Sequence, residues 1–169
     1  VEMAFTYARK YAAEGVKLFY NDFNTYQGDK CEYIYNLCKD LKDKGLIDGI
    51  GMQGYWGISY PSTSTIGSAL FKFSELDLEI HITELSIGVD EETPEQFEAQ
   101  AKAYGNIFFM LRSKDKEGGG TANITNVTVF GLIDHYNPND TTNARLFDSN
   151  YQPKPAYYKV YNMFKSLYK

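Results

Sequence analysis

The chain has few of the residues and patterns that mark metal, nucleic-acid or membrane proteins. Its 169 residues include two cysteines and two histidines, and no Cys-x-x-Cys or His-Glu-x-x-His motif occurs, so we expect no metal site. The net charge is −5, and no run of lysine or arginine exceeds two residues, which argues against nucleic acid or an anionic membrane as partner. No apolar run approaches the ~20 residues that span a bilayer, and no glycine-rich phosphate-binding motif indicates a nucleotide cofactor.

The cysteines say nothing about the cellular compartment. Cys31 and Cys38 lie on one predicted helix, about 10 Å apart at the rise of an α-helix. A disulfide requires Cα atoms within about 7 Å, so we predict two free thiols. No signal-peptide pattern is recognisable, but the chain opens inside an amphipathic helical pattern, Val1 to Ala13, as expected of a piece of a longer protein.

Aromatic residues are abundant instead. There are 15 tyrosines and 11 phenylalanines, and many tyrosines with few basic clusters suit a polar surface on which sugar rings stack. The alternative, which we expect for most of them, is that tyrosine places its ring at the edge of the core and its hydroxyl in water.

Helical and strand-like segments alternate along the chain. This order is typical of a parallel sheet covered by helices, and polar residues follow the strands as on the catalytic rim of a (β/α) barrel. Eight strands close such a barrel, so four strands predict half of one. The predicted strands are residues 17–22, 47–54, 79–87 and 126–132, and the predicted helices are residues 2–14, 29–44, 63–76, 94–114 and 155–169.

The third predicted strand carries the most informative side chain. Residues 79–87 are a β-branched, mostly apolar run, and Glu84 within it is a charge that is costly to bury without partners. Strict alternation predicts two sets of side chains on opposite faces: Ile82, Glu84 and Ser86, and His81, Thr83 and Leu85. Two interpretations are open. Either the carboxylate merely reaches solvent at a strand end, or it is catalytic at the mouth of an α/β fold.

Five segments resemble glycoside hydrolase family 10, the endo-β-1,4-xylanases, in the family's own order. The resemblance implies an α/β fold, the C-terminal half of a (β/α)8 TIM barrel with strands five to eight, in which residues 1–169 lack the N-terminal half. The segments, which match the motifs of strands five to eight and the closing stretch, are Leu-Phe-Tyr-Asn-Asp-Phe-Asn at 18–24, Asp-Gly-Ile-Gly-Met-Gln-Gly at 48–54, Ile-Thr-Glu-Leu at 82–85, Val-Thr-Val-Phe-Gly-Leu at 127–132, and residues 146–158.

The resemblance implies a retaining glycosidase, in which two carboxylates about 5 Å apart flank the scissile bond. Glu84 matches the family's nucleophile, and Gln53 matches a residue that hydrogen-bonds around the nucleophile and the sugar. Asn21, Asp22 and Asn24 match the rim of the fifth strand, near the leaving group. Alternatively, these three side chains only cap backbone groups.

The chain departs from the family at residues that serve the chemistry. The family's general acid stands in an Asn-Glu pair after strand four; no such pair occurs here, and Glu2 in the first helix is a poor candidate. Two residues after Gln53 the family usually has His, here Tyr55. Two residues after Glu84 it usually has Asp, here Ser86. We hypothesise that a neutral pair between the Tyr55 hydroxyl and Ser86 replaces a charged His–Asp pair.

The aromatic platforms also differ from the family pattern. The strand-eight position that is commonly Trp is Phe130, and the Trp of the following loop falls near Asn137-Pro138. Tyr136 or Trp56 would then replace that platform by stacking on a sugar. The alternative for Trp56 is ordinary packing over the barrel mouth.

The predicted activity is hydrolysis of internal β-1,4 bonds of xylan by double displacement. The predicted partners are xylan or a xylo-oligosaccharide and the N-terminal half of the barrel. We expect the chain alone to be inactive, because removing an acid–base group costs about 10²–10⁴ in rate. A non-catalytic xylan-binding relative and a glycanase for another β-glycan remain open alternatives. The resemblance also implies a secreted, extracellular protein.

Overall fold

The computed structural model describes residues 1–135 and 142–167. Helices and strands alternate along them as predicted, with one additional short strand. In chain order the elements are α1 (Glu2–Tyr11), β1 (Phe19–Asp22), α2 (Gly28–Asp43), β2 (Gly49–Met52), β3 (Tyr55–Trp56), α3 (Thr63–Ser74), β4 (Glu79–Ile87), α4 (Pro94–Lys114), a 3₁₀ turn (Lys116–Gly118), β5 (Asn123–Val129) and α5 (Pro155–Leu167).

The strands form one parallel sheet that follows the order of the sequence. β2 lies between β1 and β4, and β5 pairs with the other side of β4. The predicted strand 47–54 is shorter in the structure, Gly49–Met52, and the unpredicted β3 follows it and pairs with β4 beyond the end of β2. Consecutive parallel strands joined by helices are the wall of a (β/α) barrel, and the predicted fold class is confirmed as part of a TIM barrel.

Several predicted boundaries are wrong; α1, for example, ends at Tyr11 and not at residue 14. β5 lies at Asn123–Val129, three residues before the predicted strand, because it pairs with β4 from the first residue of that strand, Glu79. Helix α2 has Gln27 at its N-cap, and Asp29, the predicted cap, lies within the first turn. The predicted start of α4 is confirmed, since Pro94 opens the helix after Thr93, whose hydroxyl accepts the Gln96 N–H at 3.3 Å.

The hydrophobic core lies between the sheet and helices α2, α3 and α4. Both predicted free cysteines are buried in α2, and within residues 1–135 and 142–167 no helix is long and apolar enough to cross a membrane. The largest fully buried side chains are those of Tyr104, Phe73, Ile34, Leu41, Ile50, Met52, Ile66, Leu70, Ile80, Ile82, Leu85 and Ile87.

The opposite surface of the sheet, which we call the barrel-facing side, is polar and aromatic. The Phe19 ring stacks on His81 with centroids 4.1 Å apart. Gly49 makes room for this ring, because a Cβ there would lie 2.0 Å from Phe19 Cε1. Gly51 does the same for Asn21, since a Cβ at 51 would lie 2.6 Å from its Oδ1. The glycines of β2 therefore leave space into which β1 side chains project.

Candidate active site

Glu84 is carried by a β-bulge near the C-terminal end of β4. Ile82 pairs with Val127 and Leu85 with Val129, so Thr83 and Glu84 together oppose one residue of β5, and the extra residue breaks the alternation of side chains. The predicted faces are therefore wrong from this point. Ile82 is fully buried, whereas Thr83 and Glu84 both reach the same side chain on β1.

That side chain is Asn21. Its Nδ2 donates to Glu84 Oε1 at 3.4 Å, and its Oδ1 accepts the Thr83 hydroxyl at 2.7 Å. The other carboxylate oxygen, Oε2, accepts a hydrogen bond from the Tyr55 hydroxyl. Each oxygen of Glu84 thus receives one uncharged donor, one from β1 and one from β3.

The hypothesis that Tyr55 bonds Ser86 is wrong. The two residues are cross-strand neighbours in the β3–β4 register, and Ser86 is buried, but the long tyrosine side chain carries its hydroxyl past this neighbour to Glu84. Burial, followed by the bond to Glu84 and its negative charge, raises the pKa of Tyr55 to about 12. The phenol is therefore a neutral donor throughout the ordinary pH range.

The Tyr55 ring is supported by a chain of contacts that leads to the loop after β5. It packs edge-on against Phe130, with centroids 5.9 Å apart at 75°, and the guanidinium carbon of Arg145 lies 5.8 Å from the Phe130 centroid. The Arg145 backbone N–H donates to Asp134 Oδ1 at 2.8 Å. Asp134, one of the predicted rim residues, thereby locates the cation behind the aromatic pair.

A buried ion pair fixes Asp134 in turn. Lys154 Nζ lies 2.7 Å from Asp134 Oδ2, and both side chains are 4% exposed. The same Nζ donates to the Asn143 carbonyl at 2.7 Å. Burial lowers the pKa of Lys154, although Asp134 opposes this effect. The clasp formed by Asp134, Asn143 and Lys154 joins the end of β5 to the start of α5.

The remaining predicted rim residues of β1 point elsewhere. Asp22 accepts hydrogen bonds from Lys30 Nζ at 2.8 Å and from the Tyr20 hydroxyl at 2.9 Å. Burial opposes ionisation of Asp22, but these donors outweigh it and hold its pKa below the ordinary value. Asn24 adopts a left-handed backbone with φ 51° and accepts the Tyr26 hydroxyl at 3.4 Å. Both residues serve the local fold here.

Exposure and hydrogen bonding separate the predicted aromatic platforms from each other and describe Gln53. Trp56 is 4% exposed, which favours its packing interpretation, whereas Phe130 is 45% exposed and open to a ligand. The Gln53 backbone N–H donates to the Asp22 carbonyl at 2.9 Å; its half-buried side chain has no hydrogen bond to the described residues. Tyr136 lies outside the described residues.

Sequence reasoning missed Thr83 and Arg145. Strict alternation assigned Thr83 to the face opposite Glu84, and only the bulge brings the two together. Arg145 follows a loop and carries no local motif that would indicate its position near Phe130. Across residues 1–135 and 142–167, no group of three metal-binding side chains comes together.

Residues 1–163 match the family model for glycosyl hydrolase family 10. The chain belongs to this family. A putative endo-1,4-beta-xylanase from Caldicellulosiruptor saccharolyticus is 46% identical over 169 residues, covering 94% of this chain and 54% of that relative. A bifunctional endo-1,4-beta-xylanase from Ruminococcus flavefaciens is 41% identical, covering 96% of this chain and 16% of that protein. This family 10 chain therefore spans about half, or less, of the length of these relatives.

Solved structures of family 10 xylanases have the same fold. A Clostridium thermocellum xylanase in complex with xylohexaose matches with a TM-score of 0.85 at 35% identity, over 96% of this chain and 32% of that one. The intracellular xylanase from Thermoanaerobacterium saccharolyticum matches with a TM-score of 0.81 at 34% identity, over 94% of this chain and 48% of that one.

The predicted extracellular location is wrong as an inference from the family. A structural relative with 34% identity is described as an intracellular xylanase, so family 10 membership does not imply secretion. The physical reason is that export depends on a separate leader segment, which the catalytic fold neither contains nor requires.

Proposed function

We propose that this chain forms strands five to eight of a retaining endo-1,4-β-xylanase, with Glu84 as the nucleophile. The observation that carries the proposal is the carboxylate of Glu84 itself. It stands at the C-terminal end of a barrel strand, where such folds collect their chemistry, with one uncharged donor on each oxygen. All the relatives described above are named as xylanases.

The proposed reaction is a double displacement. In the first step a Glu84 oxygen attacks the anomeric carbon and forms a glycosyl-enzyme, while a separate carboxylic acid protonates the departing sugar oxygen. In the second step that group, now a carboxylate, takes a proton from water, which attacks the anomeric carbon and releases Glu84. Tyr55 and Asn21 hold Glu84 in position in both steps, and neither has to change its charge.

The Asn-Glu pair that holds the general acid in the family does not occur in this sequence. We propose that an N-terminal half of the barrel supplies it, so that residues 1–169 are a partial catalytic domain. The uncovered edges of this half support the proposal. At one edge, helix α1 buries none of its side chains.

The opposite edge of the sheet carries an apolar groove of about 560 Å³ between α4, β5 and α5. Its apolar lining consists of Phe108, Phe109, Leu111, Ile124, Val127, Met163 and Phe164. Phe109 is 71% exposed, and patches of this kind mark surfaces that another element covers. An N-terminal half-barrel would cover both edges at once.

Xylan or a xylo-oligosaccharide is the proposed substrate. The exposed face of Phe130, held against Tyr55, is suited to stacking on a sugar ring. Gln53 has an amide without a partner among the described residues and is proposed to bind sugar hydroxyls. For Tyr136 we retain the predicted role of a platform that stacks on a sugar, and for Asp22, Asn24 and Ser86 a supporting role behind the cleft.

Trapping and rescue test the nucleophile in the complete barrel. A 2-deoxy-2-fluoro-xylobioside with a good leaving group should label one peptide, residues 79–87, with the sugar on Glu84. Glu84→Gly should lose hydrolysis of an aryl β-xylobioside, and azide should restore turnover by displacing the phenol to form the α-xylobiosyl azide. Glu79→Gln on the same strand is the control and should still be labelled at Glu84. Label on another residue, or undiminished hydrolysis by Glu84→Gly, would refute the assignment.

A further inference from the structure

Thr83 lies beside Glu84, but its hydroxyl is directed at a third residue. Its Oγ1 donates to Asn21 Oδ1 at 2.7 Å, a normal length for a hydroxyl hydrogen bond. The second half of the same amide, Nδ2, donates to Glu84 Oε1 at 3.4 Å. Two consecutive residues of β4 thus bind opposite ends of one amide on β1.

This arrangement determines which way the Asn21 amide faces. An amide has an oxygen that only accepts and a nitrogen that only donates. The Glu84 carboxylate can only accept, so the amide turns its nitrogen toward Glu84, and its oxygen is left facing Thr83, whose hydroxyl donates to it. In the reverse orientation two oxygens would face each other at Glu84, and the Thr83 hydroxyl would have to change from donor to acceptor.

Two features of the backbone make the contact possible. The bulge in β4 lets Thr83 and Glu84 reach the same side of the sheet, which successive residues of a regular strand do not do. Gly51, between β1 and β4, leaves the space that the pair occupies, because a Cβ there would lie 2.6 Å from Asn21 Oδ1 and 2.9 Å from Thr83 Cγ2.

We infer that Thr83 is a positioning residue that acts on Glu84 through Asn21. Its hydroxyl bonds Asn21, not Glu84, among the described residues, and it thereby fixes the amide that donates to the proposed nucleophile. This inference rests on the proposed function of Glu84. The long Asn21–Glu84 contact is the one that Thr83 protects, since a 3.4 Å bond is easily lost when the amide rotates.

The test uses isosteric changes in the complete barrel. Thr83→Val removes the hydroxyl and keeps the shape, so kcat/KM for an aryl β-xylobioside and the rate of inactivation by the 2-fluoro sugar should both fall about 3- to 10-fold. Thr83→Ser keeps the hydroxyl and should remain within about twofold of the unchanged enzyme.

A matched control and a double mutant separate positioning from packing. Thr128 on β5 also bonds an asparagine, since Asn126 Nδ2 donates to its hydroxyl at 3.0 Å, and Thr128→Val should leave both rates unchanged. If Thr83 acts through Asn21, the double mutant Thr83→Val/Asn21→Ala should be no slower than Asn21→Ala alone. Should Thr83→Val fold poorly, Thr83→Ala removes the same hydroxyl without adding bulk.

Two results would overturn the inference. One is a double mutant whose kcat/KM falls by the product of the two single-mutant decreases. The other is a decrease in kcat/KM for Thr83→Ser as large as that for Thr83→Val. If the proposed role of Glu84 is itself wrong, Glu84→Gly will retain hydrolysis, and this result does not depend on the Thr83 variants.

Discussion

Tyr55→Phe tests whether the neutral phenol holds Glu84, the proposed nucleophile. The change deletes one oxygen and leaves the ring against Phe130. A hydrogen bond to a charged group contributes about 1.5–3 kcal/mol, and at about 1.4 kcal/mol per decade its loss corresponds to about a 10- to 150-fold decrease in kcat/KM. We expect a decrease in that range in the complete barrel, with Tyr33→Phe on the exposed face of α2 as an unaffected control.

The pH dependence of the same variants is the sharper assay. Because the pKa of Tyr55 is raised from 10.0 to about 12, the hydroxyl should donate unchanged from pH 4 to about pH 10, and kcat/KM should show no ionisation from this position. Tyr55→His introduces a group that titrates near pH 6.5, so a new transition should appear there. Tyr55→Phe within twofold of the unchanged enzyme, or no new transition in Tyr55→His, would refute the reasoning.

The raised pKa of Tyr55 also predicts how the free energy of unfolding depends on pH. A proton donor whose pKa is higher in the folded than in the unfolded state contributes stability that is fully present below the unfolded value and is lost as pH rises through the folded value. The contribution of Tyr55 should therefore be constant below about pH 10 and disappear between pH 10 and 12. Urea unfolding at pH 9 and pH 12, compared between the unchanged enzyme and Tyr55→Phe, measures the difference, which should vanish at the higher pH.

Three further predictions address the supports of the site and of the fold. Gly51→Ala should displace Asn21 and lower kcat/KM at least as much as Asn21→Ala, as measured with the aryl xylobioside; an unchanged value would show that the space is not needed. Lys154→Met should lower the free energy of unfolding by about 3–5 kcal/mol, because Asp134 is left buried and unpaired; denaturant titration measures this, and a loss below 1 kcal/mol would contradict it. Asp48, at the opposite end of β2 from the site, accepts hydrogen bonds from Arg9 Nη2 and the Leu18 N–H, both at 2.6 Å, so Asp48→Asn should be less stable than the unchanged chain at pH 7. Since hydrogen bonds outweigh burial and hold the pKa of Asp48 below 3.8, that difference should shrink only as pH falls below about 4.

The sequence predicted the elements well where local pattern and tertiary structure agree. β4 spans Glu79–Ile87, the predicted residues, because a β-branched apolar run in the middle of a parallel sheet has one stable state. The importance of Asn21 was also predictable in outline, since residues at the C-terminal ends of neighbouring parallel strands meet at one rim. The pattern could not identify the two side chains that Asn21 contacts, Glu84 and Thr83.

The wrong predictions at the site have three causes, none of which can be read from sequence spacing. Alternation has a period of two, and one inserted residue at Thr83 reverses every face beyond it. The partner of Tyr55 depended on how far a phenol extends across a strand pair, which register alone does not give. The position of Arg145 depended on a loop, whose packing is decided by distant contacts such as the Asp134–Lys154 pair. Sequence spacing carries none of this information.

The clasp of Asp134, Asn143 and Lys154 has a consequence for how the stability of this chain and the geometry of its site are linked. Lys154 Nζ contacts both Asp134 and the Asn143 carbonyl, and Asp134 also accepts the Arg145 backbone N–H. Because Arg145 lies against Phe130, which packs on Tyr55, a change at Lys154 should disturb the surroundings of Glu84 as well as the fold. Stability and site geometry therefore cannot be altered independently at this end of the sheet.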